Sequence, residues 1–478
     1  MSRKRSRSSA SSHAEYESDY SDSDSDENIS ILNADNSGSD DSDSDCDSIS
    51  DSDSEHEFTI PNIEMKQYII DASKENNYDV KLQDLDTFIG IVIFSSFNKR
   101  KSQRDYWSFD LFLSSEIVSS AMTRDKFEEI KSKIKYSKAK DEDLNDKGWR
   151  VRSMLKLFQN NLLKFGIWKT SISIDEMMAK SYVKTVLKQF IRGKPIRFGL
   201  KFWGLCTSDG YLLNLDLYCG KNSQTGNKLA KCALGTRVVL HLLEPFFRLI
   251  NYNKIPAFHL YFDNFFTNMD LILHLQKLRL KCTGTIRDNR VKEKNILEKK
   301  APRGTYIVKH DQNSGINFIT MDSKPVSIAS TAAGVSPLST SRRYSSEARS
   351  KTDLAFPQAF HLYNKFMGGV DVHDGHCNNV LPSIRSKKWT WVVFIRFIQA
   401  SITNSPVIFN ATRDGKKKVG IKKLTISIAK YYIQKNQTSK TVHTRSNRDK
   451  LKNCSTEKCP ITTRIYCEKC NLYVCNNC

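Results

Sequence analysis

The sequence predicts a mixed α/β protein in which a central sheet lies between two helical parts of the chain. Apolar residues recur at helical spacing between residues 61 and 168. Between residues 169 and 290, short strand-like runs alternate with helices, as in a mixed sheet. Helical spacing returns after residue 358, and six of the 12 cysteines lie in the last 25 residues. With 478 residues, the chain is long enough for about three domains.

Residues 1–60 differ from the rest of the chain in charge. They carry 17 acidic and 4 basic residues, and they hold too few apolar side chains to offset the entropy of ordering. We therefore expect a disordered acidic tail, which is either a solubilising segment or a kinase substrate, because its serines are followed by acids. The rest of the chain carries a net charge of +34, against +21 for the whole. So basic a body is expected to attract nucleic acid, and a small-metabolite enzyme has no evident need for it.

Residues 61–168 are predicted to form a mainly helical domain. Apolar residues have helical spacing in Leu85–Ser96, Asp125–Ile134 and Val151–Phe165. The sequence has no uninterrupted apolar run of about 18 residues, so no membrane-spanning segment is expected. The charged N-terminus has no apolar segment behind it, which argues against a secretory signal.

Residues 169–290 are predicted to form a mixed sheet with helices. The first three strands precede any helix, which favours an antiparallel meander. The expected strands are Ser171–Asp175, Arg197–Cys206, Tyr211–Cys219, Phe258–Phe262 and Cys282–Ile286. Two predicted helices, Ala233–Leu249 and Met269–Leu280, precede the fourth and fifth strands.

The later part of the chain divides by composition. Residues 291–357 are rich in Lys, Ser and Arg and are predicted to be an insertion, with a loose segment at Ser330–Thr352. Helical spacing predicts two further helical segments, 358–380 and 381–435. A basic linker and the cysteine cluster make up residues 436–478.

Carboxylates at the ends of buried elements are the first candidates for chemistry. Asp175 ends the first predicted strand, and Asp263 follows the fourth. Asp371 and Asp374 are three residues apart, a spacing that puts both on one face of a helix. Together the four would form a small acidic site for Mg²⁺ or Mn²⁺, in which two ions clamp the attacking and leaving oxygens of a phosphoryl transfer. Taken alone and by position, each Asp is more commonly a turn or cap residue.

Six cysteines near the C-terminus form three sequence pairs. They are Cys454, Cys459, Cys467, Cys470, Cys475 and Cys478. Thiolates at these spacings can close tetrahedral Zn²⁺ sites, and metal binding would supply the folding energy that so short a segment lacks. Disulfides are the alternative, which the lack of a secretion signal disfavours.

Four residues that follow the last acids are candidates for DNA contact. Arg385, Lys387, Lys388 and Trp389 combine charge with an aromatic ring, which could meet a phosphate and a splayed base. Trp389 also begins an apolar helical run, so a place in the core is an equal alternative. A second basic cluster, Lys416–Lys418, is a nuclear import signal, a DNA clamp or a solvated face.

Seven short motifs occur in order along the chain, within a stretch from about residue 104 to the last residue. They are Ile174-Asp175-Glu176, Gly193-Lys194-Pro195, Phe198-Gly199-Leu200-Lys201-Phe202-Trp203, Tyr218-Cys219-Gly220, Phe262-Asp263-Asn264-Phe265-Phe266-Thr267, Gly284-Thr285-Ile286-Arg287-Asp288-Asn289-Arg290 and Tyr363-Asn364-Lys365-Phe366-Met367-Gly368-Gly369-Val370-Asp371, with Asp374 after the last. Together these motifs resemble the piggyBac-type DNA transposases. Several ordered motifs are far more specific than any single one.

The resemblance implies a domain organisation. Residues 169–290 and 358–380 would form an RNase-H-like catalytic core, a mixed sheet with helices, interrupted by the insertion domain. Residues 61–168 and 381–435 would form a split, mainly helical domain for dimerisation and DNA binding. Residues 436–478 would hold a small zinc-binding cysteine-rich domain that contacts terminal DNA.

The resemblance also implies an activity and its site. The family's catalytic carboxylates map onto Asp175, Asp263 and Asp371, with Asp374 as a further active-site acid. A cut-and-paste transposase is implied, with metal-dependent cleavage at terminal inverted repeats, hairpin formation and strand transfer into TTAA target DNA. Such an enzyme would act on double-stranded DNA in the nucleus as a homodimer.

The sequence departs from the family pattern shortly after the Asp-Glu pair. Where family members often carry an aromatic-Gly-Arg step, this chain has Tyr182-Val183-Lys184. A second hypothesis follows, in which the chain is a domesticated, non-catalytic transposase-derived protein that binds DNA or chromatin. All four acids are present, which favours an active enzyme.

Overall fold

The computed structural model of the protein describes residues 63–166, 169–220, 231–298, 301–321, 325–345, 349–411, 413, 417–435, 445–455, 462–467 and 472–473. The acidic tail of residues 1–60 lies outside them. The helices in the described part are α1 (Ile63–Glu75), α2 (Leu82–Phe97), α3 (Glu116–Ala121), α4 (Arg124–Lys133), α5 (Trp149–Leu162), α6 (Leu234–Leu249), α7 (Met269–Lys277), α8 (Gln358–Phe366), α9 (Gly369–Asn379), α10 (Trp389–Ala411) and α11 (Ile421–Gln434). The strands are β1 (Ser171–Lys180), β2 (Lys188–Phe190), β3 (Phe198–Thr207), β4 (Leu212–Leu217), β5 (His259–Phe262), β6 (Lys281–Ile286), β7 (Tyr306–His310), β8 (Asn317–Met321), β9 (Val326–Ser330), β10 (Ser339–Ser345), β11 (Ser350–Phe356), β12 (Arg445–Asn453), β13 (Thr462–Cys467) and β14 (Leu472–Tyr473).

The early and late helical segments pack against each other and share one core. Every residue from Leu85 to Ser96 of α2 is buried, as expected for a helix that is apolar on all sides. The ring of Phe158 in α5 stacks on Phe397 in α10, with ring centroids 4.5 Å apart. Helices α2, α4 and α5 lie where the apolar spacing predicted helices, with ends that differ by at most three residues.

Helix α10 is apolar enough to require a separate explanation. Its 23 residues include an 18-residue window with a mean hydropathy of 1.4, and 67% of that window is buried inside the protein. In the described part of the chain it is the one helix that is long and apolar enough to cross a membrane, although the sequence contains no uninterrupted apolar run. The helix also carries the buried polar residues Arg396, Gln399 and Asn404. Its place in the core accounts for its composition.

Nine of the described strands form one mixed sheet, in the order β2–β3–β1–β5–β6–β9–β8–β7, with β4 also paired to β3. Strand β1 runs antiparallel to β3 and parallel to β5, and β5 runs parallel to β6. The predicted antiparallel meander of the first strands and the mixed sheet are confirmed in this arrangement. Strands β9, β8 and β7, from the predicted insertion, extend the same sheet beyond β6, and each of them runs antiparallel to the strand before it in the sheet.

Strand β1 lies at the centre of the fold, with apolar side chains in two core clusters. Ile174 is buried with Phe246 of α6 and Leu275 of α7. Met177 and Phe202 belong to the second cluster, which also contains the helical core. Because apolar side chains of β1 pack in both clusters, the strand holds its polar residues Asp175 and Glu176 in fixed positions.

Two elements differ from the sequence prediction. Strand β1 continues to Lys180 instead of ending at Asp175, and its pairing with β3 runs through this whole extension. The segment Ser330–Thr352, predicted to be loose, contains most of a β-hairpin in which β10 pairs antiparallel with β11. Strand β10 is polar along its length, so it lacks the alternation of apolar and polar residues that marks a half-buried strand.

Candidate active site

Asp175 and Asp263 lie side by side because their strands are parallel neighbours. Strands β1 and β5 pair in register up to Ile174 of β1 and Phe262 of β5. The residues that follow these two are Asp175 and Asp263. The side chain of Asp175 is 14% exposed. Asp175 is therefore a mid-strand residue at the point where the parallel pairing with β5 ends, next to Asp263.

Helix α9 brings Asp371 to the same place. Gly369, in the first turn of α9, touches β3 so closely that a Cβ would lie 2.3 Å from the carbonyl oxygen of Thr207. A residue without a side chain is needed for this close approach of helix and strand. Two residues later, Asp371 reaches the acidic group with a side chain that is 63% exposed.

The ammonium group of Lys194 joins two of these carboxylates. Its Nζ atom lies 3.1 Å from Oδ2 of Asp175 and 2.8 Å from Oδ1 of Asp371. A second cation, Lys201, lies 3.5 Å from Glu176, the residue next to Asp175. The acidic group is thus partly neutralised by lysines from β3 and from the turn that precedes it.

Two carboxyl groups of the site lie in surroundings that disfavour their ionised form. Burial raises the pKa of both Asp175 and Asp263. For Asp175, the nearby Lys194 acts against this rise, whereas Glu176, Asp263 and Asp371 add to it. A carboxyl group with a raised pKa is costly to keep ionised, and a cation of higher charge beside it would lower that cost.

The carboxylate oxygens of the site are of the kind that binds a divalent cation, although they do not surround a single metal position. Among the residues that the structure describes, no three His, Cys, Asp or Glu side chains are arranged to hold a metal ion together. The ammonium of Lys194 is instead the cation between Asp175 and Asp371. Carboxylate oxygens from two elements around one cation are the ligands that Mg²⁺ and Mn²⁺ prefer.

The loop that carries Asp263 is held by an arginine from the next motif. Nη1 of Arg290 donates to the carbonyl oxygens of Asn264 at 2.6 Å and of Thr267 at 2.8 Å. Within the loop, the backbone N–H of Phe265 donates to Oδ1 of Asp263 at 3.0 Å. The two motifs therefore act together, because one supplies the carboxylate and the other fixes the loop that presents it.

Asp374 lies in a separate, buried ion pair. Its Oδ1 accepts a hydrogen bond from Nη1 of Arg396 at 2.9 Å, and the two side chains are 11% and 1% exposed. Arg396 also donates to the carbonyl oxygen of Met178 in β1 at 2.7 Å. Asp371 and Asp374 share helix α9 as their spacing predicted, but the structure does not bring Asp374 to the group around Lys194. Its contacts connect α9, α10 and β1.

The four residues predicted to contact DNA differ in their exposure and in their contacts within the protein. Arg385 is exposed, and its guanidinium lies 5.2 Å from the ring centroid of Tyr182, which is 64% exposed. Lys387 is also exposed. Lys388 donates instead to a backbone carbonyl of α4, and Trp389 packs partly buried against the helical core. Arg385 and Lys387 are therefore open to a ligand, whereas Lys388 and Trp389 make contacts within the protein.

The cysteine cluster lies mostly outside the described residues. Strands β12, β13 and β14 form a separate three-stranded sheet. Cys454, directly after β12, is buried, and Cys467 is the last residue of β13. The cysteines outside the described residues are Cys459, Cys470, Cys475 and Cys478.

Three cations that hold the acids or their loops were not predicted from the sequence. Arg396 had a usable signal, because a lone charge inside an apolar helix needs a buried partner. Arg290 had a weaker one, since it follows a strand in a polar motif. Lys194 belongs to the family motif Gly193-Lys194-Pro195, but its contact with the acids had no local signal, because its partners lie 19 and 177 residues away.

Comparisons with known proteins agree with this architecture. A family profile described as Transposase IS4 matches residues 62–406. PiggyBac transposable element-derived protein 3 of Homo sapiens is 33% identical over 322 residues, which are 66% of this chain and 53% of the relative. PiggyBac transposable element-derived protein 2 of Homo sapiens is 28% identical over 338 residues, 70% of this chain and 56% of the relative. The chain thus spans about half the length of the curated relatives it matches.

A solved structure has the same fold. It is a piggyBac transposase in a synaptic complex with hairpin DNA, determined by cryo-EM. The TM-score is 0.64 at 20% sequence identity, and the match covers 87% of this chain and 93% of the other. Because the Transposase IS4 profile matches well over half of the chain, and because the relatives are piggyBac-derived, this protein belongs to the piggyBac-type transposases.

Proposed function

We propose that the protein is a cut-and-paste DNA transposase that cleaves the ends of a mobile element in a metal-dependent reaction. The observation that carries the proposal is the meeting of Asp175 and Asp371 at one cation, with Asp263 on the neighbouring strand. Membership of a transposase family supports it. A fold that only bound DNA would have no need to gather buried carboxylates where they repel the phosphates of that DNA.

The residues have distinct tasks in this proposal. Asp175, Asp263 and Asp371 hold Mg²⁺ or Mn²⁺ through carboxylate oxygens. When bound, the metal activates the attacking hydroxyl and stabilises the leaving oxygen of the phosphoryl transfer. Asp374 positions helix α9 through Arg396, and so it serves the site as a support.

The strand order supports an RNase-H-like core. Strands β4, β3 and β1 are antiparallel neighbours, and β5 and β6 continue from β1 in parallel. Asp175 in β1 and Asp263, directly after β5, lie next to each other near the middle of this arrangement. Strands β7 to β9 then belong to the insertion domain.

We assign the DNA-contact surface to the exposed residues Arg385, Lys387 and Tyr182. Arg385 over Tyr182 offers a guanidinium to a phosphate and a ring face to an unpaired base. Lys387 adds charge nearby in the sequence. The solved relative is held on hairpin DNA, so hairpin formation at the element's end and strand transfer into TTAA targets are included in the proposal.

The protein would also need a partner subunit and access to chromosomal DNA. A homodimer would bring two element ends together, and the enzyme would work in the nucleus. Zn²⁺ would be held by the C-terminal cysteines, and the buried position of Cys454 beside a three-stranded sheet suits a thiolate ligand. The acidic tail would be a kinase substrate.

A second candidate function is DNA or chromatin binding without cleavage. It is favoured by the relatives, which are named as proteins derived from transposable elements. The departure at Tyr182-Val183-Lys184 also favours it. In this case the acids would persist as part of the fold.

One experiment separates the two candidates. The purified protein is mixed with DNA ends from the locus that encodes it, with Mg²⁺ or Mn²⁺, and nicking and hairpin formation are measured. We expect Asp175→Asn and Asp263→Asn each to lower cleavage by about a thousandfold or more, as removal of an essential group does, while DNA binding stays within about twofold. Asp270→Asn, at an exposed position in the first turn of α7, is the matched control and should cleave normally. Binding without cleavage by the unaltered protein would establish the second candidate.

A further inference from the structure

Lys194 reaches the acids from a turn whose shape the sequence sets. The β2–β3 hairpin is closed by a hydrogen bond from the N–H of Ile191 to the carbonyl oxygen of Arg197, at 2.9 Å. Gly193 has a φ angle of 93°, in the left-handed region that favours glycine, and Pro195 has a fixed φ. Because Pro195 restricts the backbone next to Lys194 and the hairpin closes the turn, the contact of Lys194 with the acids costs less conformational entropy than a contact from a mobile loop.

The lysine connects three elements that are distant in sequence. Its two carboxylate partners, Asp175 in β1 and Asp371 in α9, lie 19 and 177 residues away. The side chain of Lys194 is 18% exposed, so most of it is out of water. Its ammonium group lies within 3.1 Å of two carboxylate oxygens, which favour the charged form of a lysine. The ammonium therefore stays charged and neutralises one carboxylate.

The position of the ammonium excludes a metal at the same point. Its Nζ atom is 2.8 and 3.1 Å from one oxygen of Asp371 and one of Asp175. Mg²⁺ binds carboxylate oxygens at about 2.0–2.1 Å, so an ion held by these same two oxygens would need the space that Nζ fills. Two cations so close together would repel strongly. The metal and the ammonium are therefore alternative occupants of this point.

We propose that Lys194 is the resident cation of the site, which holds Asp175 and Asp371 together until a divalent metal displaces it. The inference rests on the proposed function in one respect, that the two carboxylates are metal ligands. It adds that the protein keeps the ligands assembled when no metal is bound and that metal binding is an exchange of cations. The lysine then sets the metal concentration at which the site fills.

The test measures metal binding and stability without DNA or catalysis. Full-length protein is titrated with Ca²⁺ by calorimetry at one fixed pH, and its thermal unfolding is recorded with EDTA and with saturating Ca²⁺. We expect Lys194→Met to bind Ca²⁺ at least about fivefold more tightly, the lower end of typical coupling between sites, because no competing cation remains. In EDTA the same variant should unfold at a lower temperature than the unaltered protein, because Asp175 and Asp371 then repel each other.

Three further variants complete the test. Lys194→Gln repeats it with a polar side chain if the Met variant folds poorly, and Lys194→Arg keeps the charge and should show no gain in Ca²⁺ affinity. Lys66→Met is the matched control, because Lys66 pairs with Asp86 at 2.7 Å in the helical core, so its loss should lower the unfolding temperature alone. Ca²⁺ binding that is not tightened in either neutral variant would overturn the inference and leave the proposed metal site intact. Failure of Ca²⁺ to bind the unaltered protein and the neutral variants alike would overturn the metal site and the inference with it.

Discussion

Charged side chains in the core occur as pairs, and the exposure of the partners distinguishes supporting pairs from one that faces a ligand. In the pair Lys66–Asp86 the side chains are 2% and 3% exposed, and in Arg396–Asp374 they are 1% and 11% exposed. The carboxylate of Asp371 forms an ion pair with Lys194, and its side chain is 63% exposed. A pair closed to solvent cannot exchange its cation, whereas a pair open on one side can. Exposure, more than distance, separates the two kinds here.

The buried ion pair of Arg396 and Asp374 should contribute strongly to stability. Arg396→Met leaves Asp374 buried without its partner, which typically costs about 3–5 kcal/mol. At about 2–4 °C per kcal/mol for a domain of this kind of size, we expect the unfolding temperature to fall by roughly 10 °C, measured by circular dichroism. The double variant with Asp374→Asn should lose less than the sum of the single losses, because the two residues are coupled.

Asp374→Asn alone distinguishes support from metal ligation. If Asp374 supports α9, the variant loses stability while its Ca²⁺ affinity changes little. A weaker Ca²⁺ affinity with unchanged stability would instead make Asp374 a ligand, as the family resemblance implies. Calorimetric titration and thermal unfolding of the same sample decide between the two.

The second residue-scale prediction concerns pH and His259. Burial, aided by the charge of Lys281, lowers the pKa of His259 to about 4, and the ring bonds Thr283 at 2.8 Å and Tyr261 at 3.1 Å. The unfolded chain takes up a proton at about pH 6.5, so between pH 6.5 and 4 the unfolded state binds more protons. Stability is therefore lost as the pH falls through this window, by at most about 3 kcal/mol.

His259→Gln tests that sign. The glutamine keeps a donor and an acceptor but has no proton to gain. The stability advantage of the unaltered protein over the variant, measured by urea unfolding, should shrink as the pH falls from 7 to 4. The carboxylates titrate in both proteins, so the difference isolates the imidazole. Parallel stability curves would mean that the ring is already protonated or accessible in the folded state.

At the scale of elements, the contact between α9 and β3 positions the site. Gly369→Ala would place a Cβ 2.3 Å from the carbonyl oxygen of Thr207, closer than atoms can approach, so the helix must move away from the strand. Asp371 moves with it, and we expect both the unfolding temperature and the Ca²⁺ affinity to fall. Gly375→Ala, in the same helix with open space around the new Cβ, is the matched control. It should be neutral or stabilising by about 0.5–1 kcal/mol, and equal behaviour of the two variants would contradict this account.

Local patterns predicted the elements to different degrees. The helices α2, α4 and α5 and the strands before Asp175 and Asp263 were readable, because their apolar residues alternate or recur as packing requires. The hairpin of β10 and β11 was not, because its polar side chains leave no pattern. The end of β1 was also misplaced, since the polar pair Asp175-Glu176 interrupts a strand that continues through buried Met177 to Lys180. An acidic residue inside a strand thus resembles a strand end in the sequence pattern.

At the scale of the whole molecule, the site depends on contacts that no local pattern contains. The acids could be identified as candidates from the sequence, but their partners could not. Lys194 is 177 residues from Asp371, and Arg396 is 218 residues from Met178, whose carbonyl it bonds. Such contacts depend on the packing of α9 and α10 against the sheet. The sequence therefore predicted which acids to consider, and the fold decided which of them meet.

The uneven distribution of charge leads to the last prediction. Residues 1–60 carry 17 acidic and 4 basic residues, while the whole chain has a net charge of +21. A tethered polyanion of this charge would compete with DNA for a basic surface at a high effective concentration. Deletion of residues 1–57 should therefore tighten binding to any DNA several-fold at low salt. It should also steepen the salt dependence of DNA binding, because in the full-length protein salt weakens the binding of the competing tail as well as the binding of DNA.

A full-length variant with the acids of the tail replaced by Asn and Gln should match the deletion in fluorescence anisotropy titrations over a range of salt. If the neutral tail behaves like the native one, length and not charge controls access to the DNA-binding surface.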